Sequence, residues 1–199
     1  MKAKEFYRTV MGIRSNDILD KLVKYSKSKK VKKGEMIQAV GDTCSYTSFL
    51  VSGLFRGYFL DGNGNDVTDC FAYLPGTPLV SSLGITGPSV VYIEALENSE
   101  IIIIKTAVIN ELVNTQMELA GLYSRLLSNA LQMHWENKVA VTNHTAKARY
   151  MWFQDRFPGL IHRVSHKYIA SFLGMTPVTL SRVRKSIRDA QNQEPEIES

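Results

Sequence analysis

Short hydroxyls and long cations recur on one side of a segment near the C-terminus, from Thr176 to Arg188. Side chains of these types at helical spacing can meet base edges and phosphates in the major groove of DNA. The candidates for DNA contact are Thr176, Val178, Thr179, Ser181, Arg182, Lys185 and Arg188. The other side of the segment is apolar, with Leu180, Val183 and Ile187, and is expected to face a core.

Two short helices folded about a glycine would hold this cationic face in place. Spacings of three and four predict the first helix, through Tyr168, Ile169, Phe172 and Leu173. Ser165 is its expected N-cap, and the helix should end at Gly174, because glycine adopts the left-handed conformation without steric cost. Thr176 and Pro177 predict the start of a second helix. The pattern is typical of a helix-turn-helix, and the alternative is a pair of surface helices in an all-α bundle.

The charge distribution favours the DNA interpretation. Residues 145–190 contain nine Lys and Arg against two Asp, a balance of +7, whereas residues 1–144 contain fifteen against fourteen. A confined basic surface is the electrostatic signature of nucleic-acid binding. Residues 191–199 contain three Glu and no cation, and we expect them to form a disordered acidic tail.

Composition excludes several classes of protein. The chain has 199 residues, 44% of them hydrophobic, and it contains neither a signal-peptide core nor an apolar run approaching the roughly 20 residues that span a membrane. We therefore expect a cytoplasmic protein that makes no membrane contact. Cys44 and Cys70 are far apart and lack a CxxC motif, so we expect no metal site and no cofactor.

The N-terminal half is rich in β-type runs, and helical spacing replaces them after Ile104. Residues 49–53 and the run that follows them, residues 54–60, predict the two strands of one hairpin. The turn-forming residues from Asp61 to Gly64 predict the tip of a second hairpin. Several strands separated by turns indicate a closed all-β unit. This unit contains no histidine, and its carboxylates crowd a turn, so we expect no catalytic residues and no enzyme activity.

An apolar seam of about 19 residues follows the β-rich part. It contains Leu119, Leu122, Leu126, Ala130 and Met133, which we expect to form the interface of a homodimer. Such a stripe could equally lie on the chain's own β unit. The dimer is favoured because helix-turn-helix modules usually work in pairs, with two recognition helices about 34 Å apart.

The order of these parts resembles the Crp/Fnr transcription regulators, the cyclic-AMP receptor group. Three segments carry the resemblance: GLFRGYFLDGNGNDVT, YIEALENSEIIIIK and YIASFLGMTPVTLSRVRK. The segments IEALE and LGMTPVTLSR are most similar to the branch of this family that is common in Bacteroidetes-type bacteria. The resemblance implies an α+β fold, with an N-terminal double-stranded β-helix roll of the cyclic nucleotide-binding type, a long dimerisation helix and a C-terminal helix-turn-helix. The expected boundaries are 1–116 for the roll with flanking helices, 117–143 for the dimerisation helix, 144–190 for the DNA-binding domain and 191–199 for the tail.

The resemblance implies a homodimeric regulator that binds double-stranded operator DNA, with RNA polymerase and a small-molecule effector as further partners. Family members that bind a cyclic nucleotide hold its phosphate with Gly-Glu and Arg-Ser or Arg-Thr pairs. This chain has no cation between Phe71 and Ile104, so we expect no control by cyclic AMP. A pocket for another ligand could involve Gly76, Ser81, Ser82 and Ser89, but the absence of convergent charge favours the alternative that they are plain loop residues.

The helix-turn-helix also departs from the family pattern. Of the three family residues that read a guanine-rich half-site, only Arg182 has a counterpart, so we expect a mixed operator with one dominant G·C contact. The β-hairpin wing is expected to be absent or reduced to residues 159–164. The alternative function is a ligand-binding β-roll protein with a degenerate DNA-binding element.

Overall fold

The computed structural model describes residues 1–80 and 87–191. These residues form two compact units. Unit 1 contains residues 1–65 and 69–130, and unit 2 contains residues 66–68 together with the chain from Leu131 onward. Each unit is described separately below.

Unit 1 begins with helices that cover one face of its β structure. Helix α1 is Ala3–Glu5, a π-helical segment follows over Phe6–Val10, and α2 is Asn16–Tyr25. The Ser15 side chain accepts a hydrogen bond from the Ile18 N–H, so this residue caps α2. Phe6 and Tyr7 are fully buried and anchor the N-terminal segment.

Eight strands follow in two four-stranded sheets. Their bounds are β1 Ser26–Val31, β2 Met36–Gln38, β3 Tyr46–Ser52, β4 Phe55–Leu60, β5 Asp66–Ala72, β6 Pro78–Leu79, β7 Tyr92–Ala95 and β8 Ser99–Lys105. The sheet orders are β1-β8-β3-β6 and β2-β7-β4-β5. The pairs β1–β8, β2–β7, β3–β6, β3–β8 and β4–β7 are antiparallel. Alternate residues of β3 and β8 pack on opposite sides of the first sheet. Leu50 and Ile101 join one apolar core, and Phe49 and Ile102 join the other core with the N-terminal helices.

One of the two predicted hairpins is wrong. Strands β3 and β4 are consecutive in sequence, but they lie in different sheets, and Gly53 turns the corner between them with φ +110°. A Cβ atom on Gly53 would lie 2.8 Å from the Cα of Ser99, so the corner has no room for a side chain. The second predicted hairpin is present, because β4 and β5 are neighbours and the Asp61 N–H donates to the Asn65 carbonyl at 2.9 Å. The strands' apolar pattern could not distinguish a hairpin from a corner.

Two helices follow the last strand. Helix α3 is Thr106–Thr115 and α4 is Met117–Asn143. Leu119 is buried in the core that includes Phe6 and Tyr7, and Leu122 and Leu126 pack against that core. The first three residues of the predicted seam therefore contact their own unit, which was the alternative considered for an apolar stripe of this kind.

Unit 2 contains the second half of α4 and four further helices. Their bounds are α5 Ala146–Arg156, α6 Leu160–Arg163, α7 His166–Phe172 and α8 Pro177–Gln191. The core of the unit is aromatic, with Phe153, Phe157 and Phe172 in mutual contact at centroid distances of 5.1–5.8 Å. Residues 160–163, suggested as a remnant of the wing, form the short helix α6. Residues 192–199 of the predicted acidic tail lie outside the described residues.

Candidate functional site

The turn between α7 and α8 has the geometry that its glycine predicts. Gly174 has φ +60°. The Met175 N–H donates to the Ala170 carbonyl at 3.0 Å, and the Gly174 N–H donates to the Ser171 carbonyl at 3.1 Å. These two bonds form a Schellman motif, which satisfies carbonyl groups at the helix end and fixes the direction of the following chain.

Helix α8 begins where the Thr176-Pro177 pair predicts. The Thr176 hydroxyl accepts a hydrogen bond from the Thr179 N–H at 3.1 Å and lies 2.9 Å from the Thr179 hydroxyl. Ser165 occupies the N-cap position of α7, but its side chain makes no capping hydrogen bond. The sequence therefore predicted the boundary of α7 correctly and the capping contact incorrectly.

The predicted DNA-contacting residues lie together on one exposed face of α8 and its N-cap. Leu180 is 1% exposed and anchors the opposite face, whereas Val178 is 60% exposed. Thr179 is half-buried, and the other members of the set are exposed: Thr176, Ser181, Arg182, Lys185 and Arg188. Three cations and several small side chains are thus available to a ligand outside unit 2, and an α-helix fits the major groove of B-DNA.

Arg149 on α5 supports this turn, and sequence reasoning missed it. Its Nη1 donates to the Leu173 carbonyl at 2.8 Å and to the Gly174 carbonyl at 3.2 Å. A cation bound to carbonyls at a helix C-terminus also interacts favourably with the helix dipole. An arginine within a helix gives no sequence signal for such a long-range contact, so the structure was needed to find it.

A second contact joins the start of α7 to the side of α8. The Arg184 guanidinium contacts the His166 ring. Desolvation of the ring where it meets α8, together with the Arg184 charge, lowers the pKa of His166 below its usual value. The neutral imidazole can accept a hydrogen bond from Arg184, and this contact fixes one side of α8 relative to α7.

The predicted ligand pocket is only partly within the described residues. Ser81 and Ser82 lie outside them. Gly76 is buried and lies close to Val10: a Cβ atom at this position would be 3.0 Å from the Val10 Cγ1. Ser89 is 2% exposed, and its hydroxyl donates to the Val91 carbonyl at 2.6 Å. Gly76 and Ser89 therefore have local structural roles.

One cavity within the described part of unit 1 lies away from these residues. It has a volume of about 180 Å³ and is lined by residues of β3, β6, α3 and α4. The apolar part of the lining includes Phe49, Leu79, Ile109, Leu122 and Leu126. Neither Gly76 nor Ser89 contributes to it. A cavity with this lining suits an apolar molecule better than a charged one.

The β structure also holds a buried cation, and it lies outside residues 71–104. Arg56 is 3% exposed, and its Nε lies 3.1 Å from a carboxylate oxygen of Glu94. The guanidinium carbon lies 4.2 Å from the centre of the Tyr58 ring. Burial is compensated by this ion pair and ring contact, so the charge of Arg56 is already used within the sheet.

The fold matches that of solved Crp/Fnr-type structures, in which a β domain of the cyclic nucleotide-binding type is followed by a helix-turn-helix. FixK2 from Bradyrhizobium japonicum matches with TM-score 0.71 at 21% identity, covering 83% of this chain and 86% of FixK2. A putative Crp/Fnr regulator from Eubacterium rectale matches with TM-score 0.73 at 16% identity, covering 92% and 88%. CLP from Xanthomonas campestris, a c-di-GMP responsive global regulator, matches with TM-score 0.71 at 13% identity, covering 89% and 93%.

These identities show a shared fold. No family model and no curated protein matches the sequence. The Bacteroidetes-type branch therefore stays a prediction. The neighbours from Eubacterium rectale and Xanthomonas campestris are described as regulators. In the part of the chain that the structure describes, no helix is long and apolar enough to cross a membrane, and no cluster of metal-ligating side chains occurs.

Proposed function

We propose that this chain is a homodimeric transcription regulator that binds specific operator DNA in the cytoplasm. The observation that carries the proposal is the exposed cationic face of α8, held by a glycine turn and by a buried anchor at Leu180. Arg182 would form a bidentate contact with a guanine, and Lys185 and Arg188 would contact phosphates. RNA polymerase would be contacted at the promoter.

Selection from a random pool of duplexes tests this proposal. At physiological salt, the purified protein should enrich a two-fold symmetric motif with half-site centres about 34 Å apart, one helical turn of DNA. Absence of any enriched motif, both with and without added cell metabolites, would favour the alternative of a degenerate DNA-binding element.

The dimer contact is proposed for the exposed face of α4. Leu119, Leu122 and Leu126 are occupied within unit 1, so the seam is revised to the apolar stripe that α4 leaves exposed. Its members are spaced by four residues and are 45–58% exposed: Leu127, Leu131, Trp135 and Val139. Ala130 is exposed and Met133 is half-buried, so both can lie beside this stripe.

Analytical ultracentrifugation tests the dimer. The wild-type chain should sediment as a dimer, and Leu131→Glu with Trp135→Glu should sediment as a folded monomer. A control variant on another side of the same helix, Asn129→Glu, removes no member of the stripe and should stay dimeric. A wild-type monomer at all concentrations would contradict this part of the proposal.

The effector, in this proposal, is a small apolar molecule bound in the unit 1 cavity, and cyclic AMP has no controlling role. The lining offers no cation for a cyclic phosphate, and Arg56 is neutralised by Glu94. Isothermal titration with indole as an apolar probe should give binding that Leu122→Trp, which fills the cavity, abolishes. Cyclic AMP should give none. Tight cyclic AMP binding that alters DNA affinity would contradict the proposal.

A further inference from the structure

Unit 1 carries a second basic surface that the helix-turn-helix does not explain. Residues 21–33 contain seven lysines and no carboxylate. We call them the lysine strip: Lys21, Lys24, Lys27, Lys29, Lys30, Lys32 and Lys33. The near-zero charge of residues 1–144 conceals it, because residues 1–33 contain eleven cations against three carboxylates, and residues 34–144 contain four against eleven. Basic charge is therefore not confined to the C-terminal part of the chain.

The structure leaves these lysines available. The strip runs from the end of α2 through β1, the edge strand of its sheet, into the following turn. All seven side chains are exposed. Within the described residues, only Lys29 forms an ion pair with a carboxylate, that of Glu35 at 2.9 Å. Hydrogen bonds from the Lys29 ammonium and from the Lys32 N–H hold the pKa of Glu35 below its usual value, and the charges of Lys29 and Lys32 add to this effect.

Protection of a sheet edge explains only part of the strip. Charged side chains, lysines especially, on an edge strand prevent pairing with another chain. This role accounts for the lysines within β1. It does not account for Lys21 and Lys24 on α2, or for Lys32 and Lys33 beyond the strand. Concentrating this many like charges raises their mutual repulsion, and a polyanionic ligand would relieve it.

The chemistry of the strip favours a phosphate backbone over a protein partner. Protein interfaces are enriched in Arg and aromatic residues and depleted in Lys. The strip contains no Arg, and the exposed aromatic side chain within it, Tyr25, lies under the Lys24 ammonium at 5.3 Å. Lysines act as flexible point charges, which suits contacts with phosphates that carry no sequence information. We propose that the lysine strip binds the backbone of duplex DNA, so that unit 1 adds sequence-independent contacts to those of α8.

Two matched double variants test this inference, which rests on the proposed function in taking DNA as the ligand. Lys27→Gln with Lys30→Gln removes two charges from the strip. Lys105→Gln with Arg125→Gln removes two exposed charges elsewhere. Binding of the full chain to a long duplex is measured against salt concentration. The strip variant should have a slope shallower by about two, since each phosphate contact contributes about 0.9. The control variant should match the wild type, and equal slopes for all three proteins would overturn the inference.

Lysine acetylation with mass spectrometry separates failure of this inference from failure of the proposed function. Long duplex DNA should protect both Lys30 in the strip and Lys185 on α8. Protection of Lys185 alone would overturn the inference and leave the proposed function standing. Protection of Lys30 alone would support the strip and overturn the role of α8. Protection of Lys30 by poly-glutamate but not by DNA would overturn the inference in favour of an acidic protein partner.

Discussion

Replacing Arg149 with methionine should loosen the turn that aims α8. The substitution retains an apolar stem but removes both hydrogen bonds to the carbonyls of Leu173 and Gly174. A hydrogen bond from a charged donor is worth about 1.5–3 kcal/mol. The bond to Leu173 is partly buried and should count most. The buried Arg149 Nε has no partner within the described residues, so its removal offsets about 1 kcal/mol of the loss. We therefore expect a net loss of about 2 kcal/mol in the free energy of unfolding of unit 2.

Urea unfolding monitored by tryptophan fluorescence measures this loss, because Trp152 lies in the aromatic core of unit 2, 6.3 Å from the Phe172 ring. Lys147→Met is the matched control, since it removes an exposed cation from the same helix. The control should change stability by less than about 0.5 kcal/mol. An Arg149→Met loss no larger than the control's would refute the assigned role of the carbonyl contacts.

Three further outcomes are expected. Gly53→Ala should lower the free energy of unfolding, measured by thermal denaturation, by about 4 kcal/mol, because it combines positive-φ strain with overpacking against β8. Gly62→Ala is the control and should be nearly neutral, since the space around Gly62 is open. Burial and the Asp69 charge raise the pKa of Cys70 to about 12, so iodoacetamide at pH 8 should modify Cys44 and spare Cys70 until the chain unfolds; comparable native rates would contradict this. Burial raises the pKa of Tyr7 to about 12, above its ordinary value of 10.0. The neutral Tyr7 phenol should therefore make its full contribution to the free energy of unfolding below pH 10, and up to about 2.7 kcal/mol should be lost as the pH rises through 12. Tyr7→Phe should remove that part of the alkaline loss.

Local signals predicted the helix-turn-helix well. Gly174, Thr176 and Pro177 act through backbone geometry within a few residues, so their effects can be read from the sequence. The hydroxyl of Ser165 was assigned a capping contact that it does not make. Such a contact depends on a rotamer as well as on a residue type.

Long-range relations were harder to predict. The consecutive strands β3 and β4 share a hairpin-like pattern but enter different sheets. The stripe from Leu119 to Leu126 has the same spacing whether it packs on its own unit or on a partner. Arg149 lies 24 residues from the carbonyl of Leu173 that it binds. None of these relations follows from periodicity, because each depends on how distant segments meet.

The net charge of a long segment conceals local clusters of like charge. A near balance over residues 1–144 conceals a basic N-terminal part followed by an acidic one. A sliding sum over about ten residues would have found the lysine strip from the sequence alone, since clusters of like charge are visible at that scale.

The most direct test of specific DNA recognition compares Arg182→Ala with the wild type on the selected operator and on a scrambled duplex. Fluorescence anisotropy should show that Arg182→Ala loses about 1–3 kcal/mol of binding free energy on the operator and changes little on the scrambled duplex. Lys185→Ala should weaken both duplexes alike and reduce the salt slope by about one. An equal loss from Arg182→Ala on both duplexes would contradict base recognition by α8.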